Sequence, residues 1–354
     1  MSFGPHHYVP TLKVKRGEKA ALSAIAPELR PRITPLLEIV ERNPAKTPTI
    51  EKHLNTAFQK LADAARLYER CFLDTQEIAP DGPEAAVEVF RRATAASIAF
   101  IPVTGLSRTV DLAAAVSYCT HGLALRLTRK EFEQGQIRGL ASFIGKIGLR
   151  PEQIDLIVDL GEVSRLVEDG VTALTSAFLA DVPDHGRWRS LTVTACAFPL
   201  SMAGVARNSS ANVDRAEWMA WRNGLHASRH KLSRLPTFGD STIQHPRGVE
   251  GFDPRIMQVS AAVRLTCPGQ WLLIKGQSTR TKPPSQQFPE LARKLVYGSM
   301  RPRFAGASHC KGCRGMKAAA DGAPNLGSAE TWRRLGTIHH VTSVMDGLAA
   351  LPWP

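Results

Sequence analysis

"RCFLDTQEIAPDGPEAAVEVFRRATAASIAFIPVT", residues 70–104, decides the fold. Two short strand-like runs, 70–76 (RCFLDTQ) and 98–104 (IAFIPVT), flank a segment in which Ala86, Val89, Phe90 and Ala93 recur at helical spacing. A connection long enough to hold a helix joins parallel strands, because antiparallel neighbours need only a tight turn. The stretch is a βαβ unit.

The same alternation extends in both directions. Strands are predicted at 8–14, 33–39 (ITPLLEI), 123–128 (LALRLT), 154–160 (IDLIVDL) and 190–197 (SLTVTACA). Between them run helical patterns on Leu54, Phe58, Leu61 and Ala65, on Ile137, Leu140, Ala141 and Ile144, and on Val171, Leu174 and Phe178. An eighth strand, 236–243 (PTFGDSTI), follows a helix predicted over 213–234, whose Trp218, Trp221, Leu225 and Leu232 read as a core-facing stripe. Eight strands in strict alternation close a (β/α)8, TIM-like barrel of the α/β class. The competing open sheet would call for a phosphate loop, and neither GxGxxG nor GxxxxGK[ST] occurs.

The barrel strands and their helices are assigned to residues 1–243 and a closing barrel helix to 336–354, its helical run at 339–350 with Thr337 resembling an N-cap. Residues 244–335 then form a basic insertion between the last strand and the last helix. Within it, 261–277 reads as a β-hairpin turning at Pro268-Gly269, followed by one short helix near 288–297.

Charge separates these parts. The chain of 354 residues carries +13, and residues 201–354 hold 21 Lys+Arg against 9 Asp+Glu, so nearly all the excess lies there. Such asymmetry points to an anionic partner, with nucleic acid or another phosphate-bearing ligand first and a solubilising surface as the plain alternative. A protein partner for the basic tail is the rival. No run of 18 apolar residues predicts a membrane span, and the opening residues lack a signal-peptide pattern. Six scattered cysteines do not form a disulfide scaffold, so the expectation is a cytoplasmic protein with no membrane contact.

Inside a barrel, inward residues alternate with residues that pack on the helices. That parity directs six charged residues inward, late in their strands: Lys13, Glu38, Asp74, Arg126, Asp159 and Asp240. Strand C-terminal ends are where barrels carry their chemistry, so these six are the candidate catalytic residues. The alternative is a self-satisfied ion network, since buried charges need pairing. Lys13 or Arg126 suits a phosphate or carboxylate, and the carboxylates suit magnesium or acid–base work. A Schiff base at Lys13 has no other support. The choice among these is open, and no cofactor follows. "HCKGC" sets Cys310 and Cys313 at zinc-knuckle spacing beside His309, with His339 and His340 further on. A structural zinc site needs four ligands and there is no second CxxC, so no metal ligand is assigned; zinc, a redox pair and incidental loop cysteines stay open.

The segments "YVPTLKVKRGE", "FLDTQEI", "PTFGDSTIQHP", "AAVRLTCPGQWLLIKG" and "WRRLGTIHHVT" resemble the beta-protein family of phages and bacteria, from residue 8 to about 342. The resemblance implies a phage or mobile-element setting and host–phage conflict, and it supplies no catalytic residues. Its segments contain Lys13, Asp74 and Asp240 of the inward set, together with Lys15, His245, Arg264, Lys275 and His339, which are the candidate ligand-binding residues.

Overall fold

The computed structural model describes residues 3, 4, 6–248 and 260–352. Eight parallel strands close on themselves: β1 (Tyr8–Lys13), β2 (Leu36–Glu38), β3 (Cys71–Asp74), β4 (Phe100–Thr104), β5 (Leu123–Thr128), β6 (Ile154–Glu162), β7 (Ser190–Cys196) and, after an excursion at β8 (Ser210–Asp214), β9 (Thr237–Asp240). β9 returns beside β1, pairing Tyr8 with Phe238 and Pro10 with Asp240. The (β/α)8 barrel expected from strand alternation is the observed architecture.

Side-chain parity builds two layers. Val9, Leu36, Phe72, Ile101, Val103, Ala124 and Ile157 fill the barrel interior. The opposite faces, including Tyr8, Leu12, Leu37, Leu125, Leu156 and Phe238, pack on the helices in one continuous core. Burying both faces explains the continuous apolar runs in strands such as β4 and the first half of β5.

The insertion forms a second lobe beside the barrel. The hairpin turns where expected, as β10 (Ser260–Cys267) and β11 (Gln270–Ser278), but β8 joins it to make a three-stranded antiparallel sheet in the order β10-β11-β8. Helix Pro284–Val296 covers this sheet, and helix Lys311–Ala320 packs on that helix and on the last helix, around a separate core containing Val263, Phe288, Leu295, Met316 and Trp332. The second helix departs from the sequence reading, because "KGCRGMKAAA" has only a narrow apolar stripe. Residues 249–259 of the expected 244–335 insertion lie outside the described residues.

Two helix expectations are corrected. The predicted helix 213–234 is broken: Val213 and Asp214 belong to β8, Ala216–Met219 is one α turn, Ala220–His226 is a π-helix, and Arg229–Lys231 is 3-10. Pairing of Val213 with Trp271 takes the first residues into the sheet. The stripe itself keeps its inward direction, since Trp218 and Trp221 stand 5.1 and 5.6 Å from Phe238 in the core. The closing helix begins at Ala329, well before 339 and Thr337. Its N-cap is Ser328, whose hydroxyl accepts from the Thr331 N–H at 3.1 Å. The closing helix packs against helix Arg16–Ala24 on the barrel and against β10 in the lobe.

The broken segment also buries Glu217, beneath β9. Burial pushes its carboxyl up to about 8, with Arg215 opposing and Asp240 adding to the rise. A raised carboxyl stabilises the fold fully only below its unfolded value of 4.5, and that contribution is lost as pH climbs through the folded value. Glu217→Gln should therefore raise the thermal midpoint clearly at pH 8 and little at pH 5, measured by calorimetry on both forms.

Candidate functional site

At the C-terminal end of the barrel five of the six expected residues converge. Arg126, from β5, is the centre. Its Nη1 donates to Glu38 at 2.7 Å and to Asp74 at 2.9 Å, while Nε and Nη2 reach Asp159 at 2.8 and 2.7 Å. Carboxylates from β2, β3 and β6 thus meet on one guanidinium. Lys13, from β1, lies 3.3 Å from Glu38 and pairs with Glu77. The five strand residues are nearly sealed from solvent, with Asp74 only 1% exposed and Asp159, the most open of them, 9%.

The loops add three residues that strand parity does not reach. Arg108, beyond β4, clamps Asp74 with Nη1 at 2.7 Å and Nη2 at 3.2 Å, and also bonds Gln76 at 2.6 Å. Asp111 accepts from Thr104 at 2.8 Å and stands 3.5 Å from Arg108. Glu77 follows β3 by three residues. The only signal for them was position: each sits a few residues past a strand end, where barrel loops return over the mouth.

Burial alone would push Asp74 upward, but Arg108 and Arg126 outweigh it and hold the carboxyl well below the usual carboxylate range. For Lys13 burial favours the neutral amine, yet Glu38 and Glu77 raise it above the ordinary lysine value. Burial raises Glu77 and Asp111. The inner set holds three cations, Lys13, Arg108 and Arg126, against five carboxylates, so its positive charge is spent internally.

At the rim, Lys15 is exposed beside the start of the first helix. His245 is buried near Glu162, at the end of β6, with Nε2 at 3.2 Å, and its Nδ1 accepts from the Arg247 N–H at 3.2 Å. Burial lowers the imidazole, with Glu162 opposing.

The remaining candidates lie elsewhere. Asp240 is corrected: it points out of the barrel. It shares parity with Phe238, which packs on the helices, so an outward Phe238 carries Asp240 outward as well. There Tyr8 donates to it at 2.5 Å, His340 Nε2 lies at 3.0 Å and Arg215 at 3.5 Å. Thr266 of β10 completes the hub through His340 Nδ1 at 2.8 Å. Lys275 donates to the carbonyls of Met202 and Val205, both at 2.8 Å, and so ties down the loop after β7. Arg264 lies over Phe198 at 5.3 Å and donates to the Ile243 carbonyl, at the seam between lobe and barrel. Burial, with Arg333 adding, lowers it to about 10. His339 belongs to a cluster with His309, Cys310 and Cys313, whose ligand atoms all lie within 4.8 Å of one another.

The fold and mouth define a (β/α)8-barrel protein with an ion-paired C-terminal face. Residues 8–346 match the family model described as "Beta protein", and the chain belongs to that family. No curated protein sequence matches it. Among solved structures it is similar to a mandelate racemase/muconate lactonizing protein from Herpetosiphon aurantiacus, at 12% identity and a TM-score of 0.34. That similarity covers 77% of this chain, which spans 63% of the other's length.

Removing one partner of a buried ion network leaves the others unpaired, at about 3–5 kcal/mol. Arg126→Met strands Glu38, Asp74 and Asp159 together. Urea denaturation should show a loss of that size at pH 7. The depressed carboxyl of Asp74 contributes stability above the ordinary carboxylate range and loses it as pH falls. The variant should therefore also show a weaker decline in stability on acidification than the wild type.

Proposed function

We propose that this protein binds a phosphate-bearing ligand, nucleic acid or a nucleotide, on the C-terminal face of its barrel, with the second lobe supplying the phosphate contacts. One observation carries this: residues 291–320 contain seven Lys and Arg and no Asp or Glu. Arg293, Lys294, Arg301, Arg303, Lys311 and Arg314 are exposed. The bonds of Arg293, Arg301 and Arg303 go to neutral acceptors, namely the carbonyls of Ala320 and Phe304 and the amides of Asn212 and Gln270, which leave the charge uncompensated. Clustered surface cations of this kind attract a polyanion and release its counterions on binding.

The barrel mouth contributes shape more than charge, because its own carboxylates neutralise Lys13, Arg108 and Arg126. That filled mouth favours binding over turnover, and it equally supports a second reading, a non-catalytic protein-interaction module in phage defence or counter-defence. A cytoplasmic location and a phage or mobile-element setting belong to the same proposal. The setting rests on the family resemblance. Among the described residues no helix is long and apolar enough to cross a membrane.

Binding of labelled single- and double-stranded DNA and RNA across a salt series tests the proposal. Each phosphate neutralised contributes roughly −0.7 to −0.9 to the slope of log affinity against log salt. Lys294→Ala, Arg301→Ala and Arg314→Ala together should weaken binding and flatten the slope by about 2–3 units. Absence of binding at low salt, or a slope indifferent to these changes, would overturn it in favour of the protein-partner reading.

A further inference from the structure

Adjacent residues of the closing helix face different neighbours. His340 serves the Asp240 hub, whereas His339 turns to the second lobe, where the "HCKGC" loop meets it. Cys310 is the N-cap of helix Lys311–Ala320, its Sγ accepting from the Cys313 N–H at 3.3 Å. Cys313 Sγ lies 3.2 Å from His339 Nδ1 and 3.8 Å from His309 Nδ1.

The far nitrogens of both imidazoles are already committed. His339 Nε2 lies 2.8 Å from the Thr266 carbonyl, an acceptor only, so that nitrogen carries the proton. His309 Nε2 lies 2.9 Å from the Asp346 carboxylate, which fixes the same tautomer. Each ring therefore aims the Nδ1 lone pair at the cysteines. A ligating histidine held through its other nitrogen by a carbonyl or carboxylate is the outer-shell arrangement of metal sites.

The backbone is shaped to bring these four groups together. A Cβ on Gly312 would collide with the Leu335 carbonyl oxygen and stand 3.0 Å from the backbone nitrogen of His339. Only glycine lets the cysteine loop approach the closing helix this closely. The four ligand atoms lie within 4.8 Å of one another. A tetrahedron with metal–sulfur bonds of about 2.3 Å and metal–nitrogen bonds of about 2.0–2.1 Å needs a slightly tighter set, reachable by small side-chain rotations.

We propose that His309 Nδ1, Cys310 Sγ, Cys313 Sγ and His339 Nδ1 form a structural zinc(II) site that fastens the basic lobe to the closing helix. Two thiolates and two imidazoles are a zinc-selective donor set, and four protein ligands leave no open position for substrate. On binding, the two thiols give up their protons to solvent and the two neutral imidazoles lose none, so the filled centre is electrically neutral. The second CxxC that the spacing lacks is replaced by histidines from either side, one of them distant in sequence. This site is independent of the mouth and of any phosphate ligand.

The test uses the full chain, made with zinc in the medium and analysed by plasma mass spectrometry. The expected result is one zinc per chain, lost in the Cys310→Ser, Cys313→Ser double variant and kept in Cys119→Ser. Replacement by cobalt(II) should give the visible absorption of a tetrahedral ion with thiolate charge-transfer bands, which reports the ligand set in the unmutated protein. Asp346→Asn, at a solvent-exposed position, should weaken zinc binding about 10-fold or more without unfolding the chain. Fully reduced protein that takes up no zinc would overturn the proposal. So would zinc retained by the double variant, or a six-coordinate cobalt spectrum without charge-transfer bands.

Discussion

Everything at the mouth depends on one guanidinium. Carboxylates from β2, β3 and β6 would repel one another in a nearly dry space, and a shared cation offsets that repulsion. Arg126 reaches them because β5 lies between β4 and β6 while its long side chain crosses the barrel axis toward β2 and β3. Below it the interior is apolar, from Ile157 to Phe72, so the network cannot slide down into the barrel. Above it the loops bring Arg108 and Glu77, which hold Asp74 and Lys13. The barrel is thereby capped by charge where many barrels keep an open cavity.

Much of this was legible in residue order. Apolar alternation identified the eight strands, and parity put Lys13, Glu38, Asp74, Arg126 and Asp159 on the inner face. Asp240 follows the same rule once Phe238, two residues earlier, is seen to face the helices, a direction that the sequence alone left open. Arg108, Asp111 and Glu77 were hidden because a loop has no period from which a direction can be read. The π-helical turn and β8 were hidden because sheet pairing, a long-range event, overrode a local helical stripe. The metal-ligand set was half visible: three members sit in one pentapeptide, and the fourth required knowing that the closing helix starts at Ala329 and crosses the lobe.

Asp240 shows what an outward charge is for in such a fold. Tyr8 from β1, His340 from the closing helix, Arg215 from the broken segment and, through His340, Thr266 from β10 meet around it. This hub lies where the barrel seam between β9 and β1 touches the second lobe. Burial and pairing make it a geometric lock, since each group has a directional partner and none faces solvent. The following residue but one, Thr242, adopts a left-handed backbone with φ of 55° and donates its N–H to Asp240 at 2.9 Å, so the same carboxylate also sets the exit of the chain toward the lobe.

The closing helix has a consequence for the order of events during synthesis. Its residues follow the whole second lobe in the chain, yet they supply the helix that belongs beside β9 and against helix Arg16–Ala24. A ribosome therefore releases all eight barrel strands and all three strands of the lobe before the wall of the barrel can be finished. Until that moment the outward face of β1, with Tyr8 on it, lacks its cover. The nascent barrel must wait for the lobe, and the last helix to emerge seals both at once.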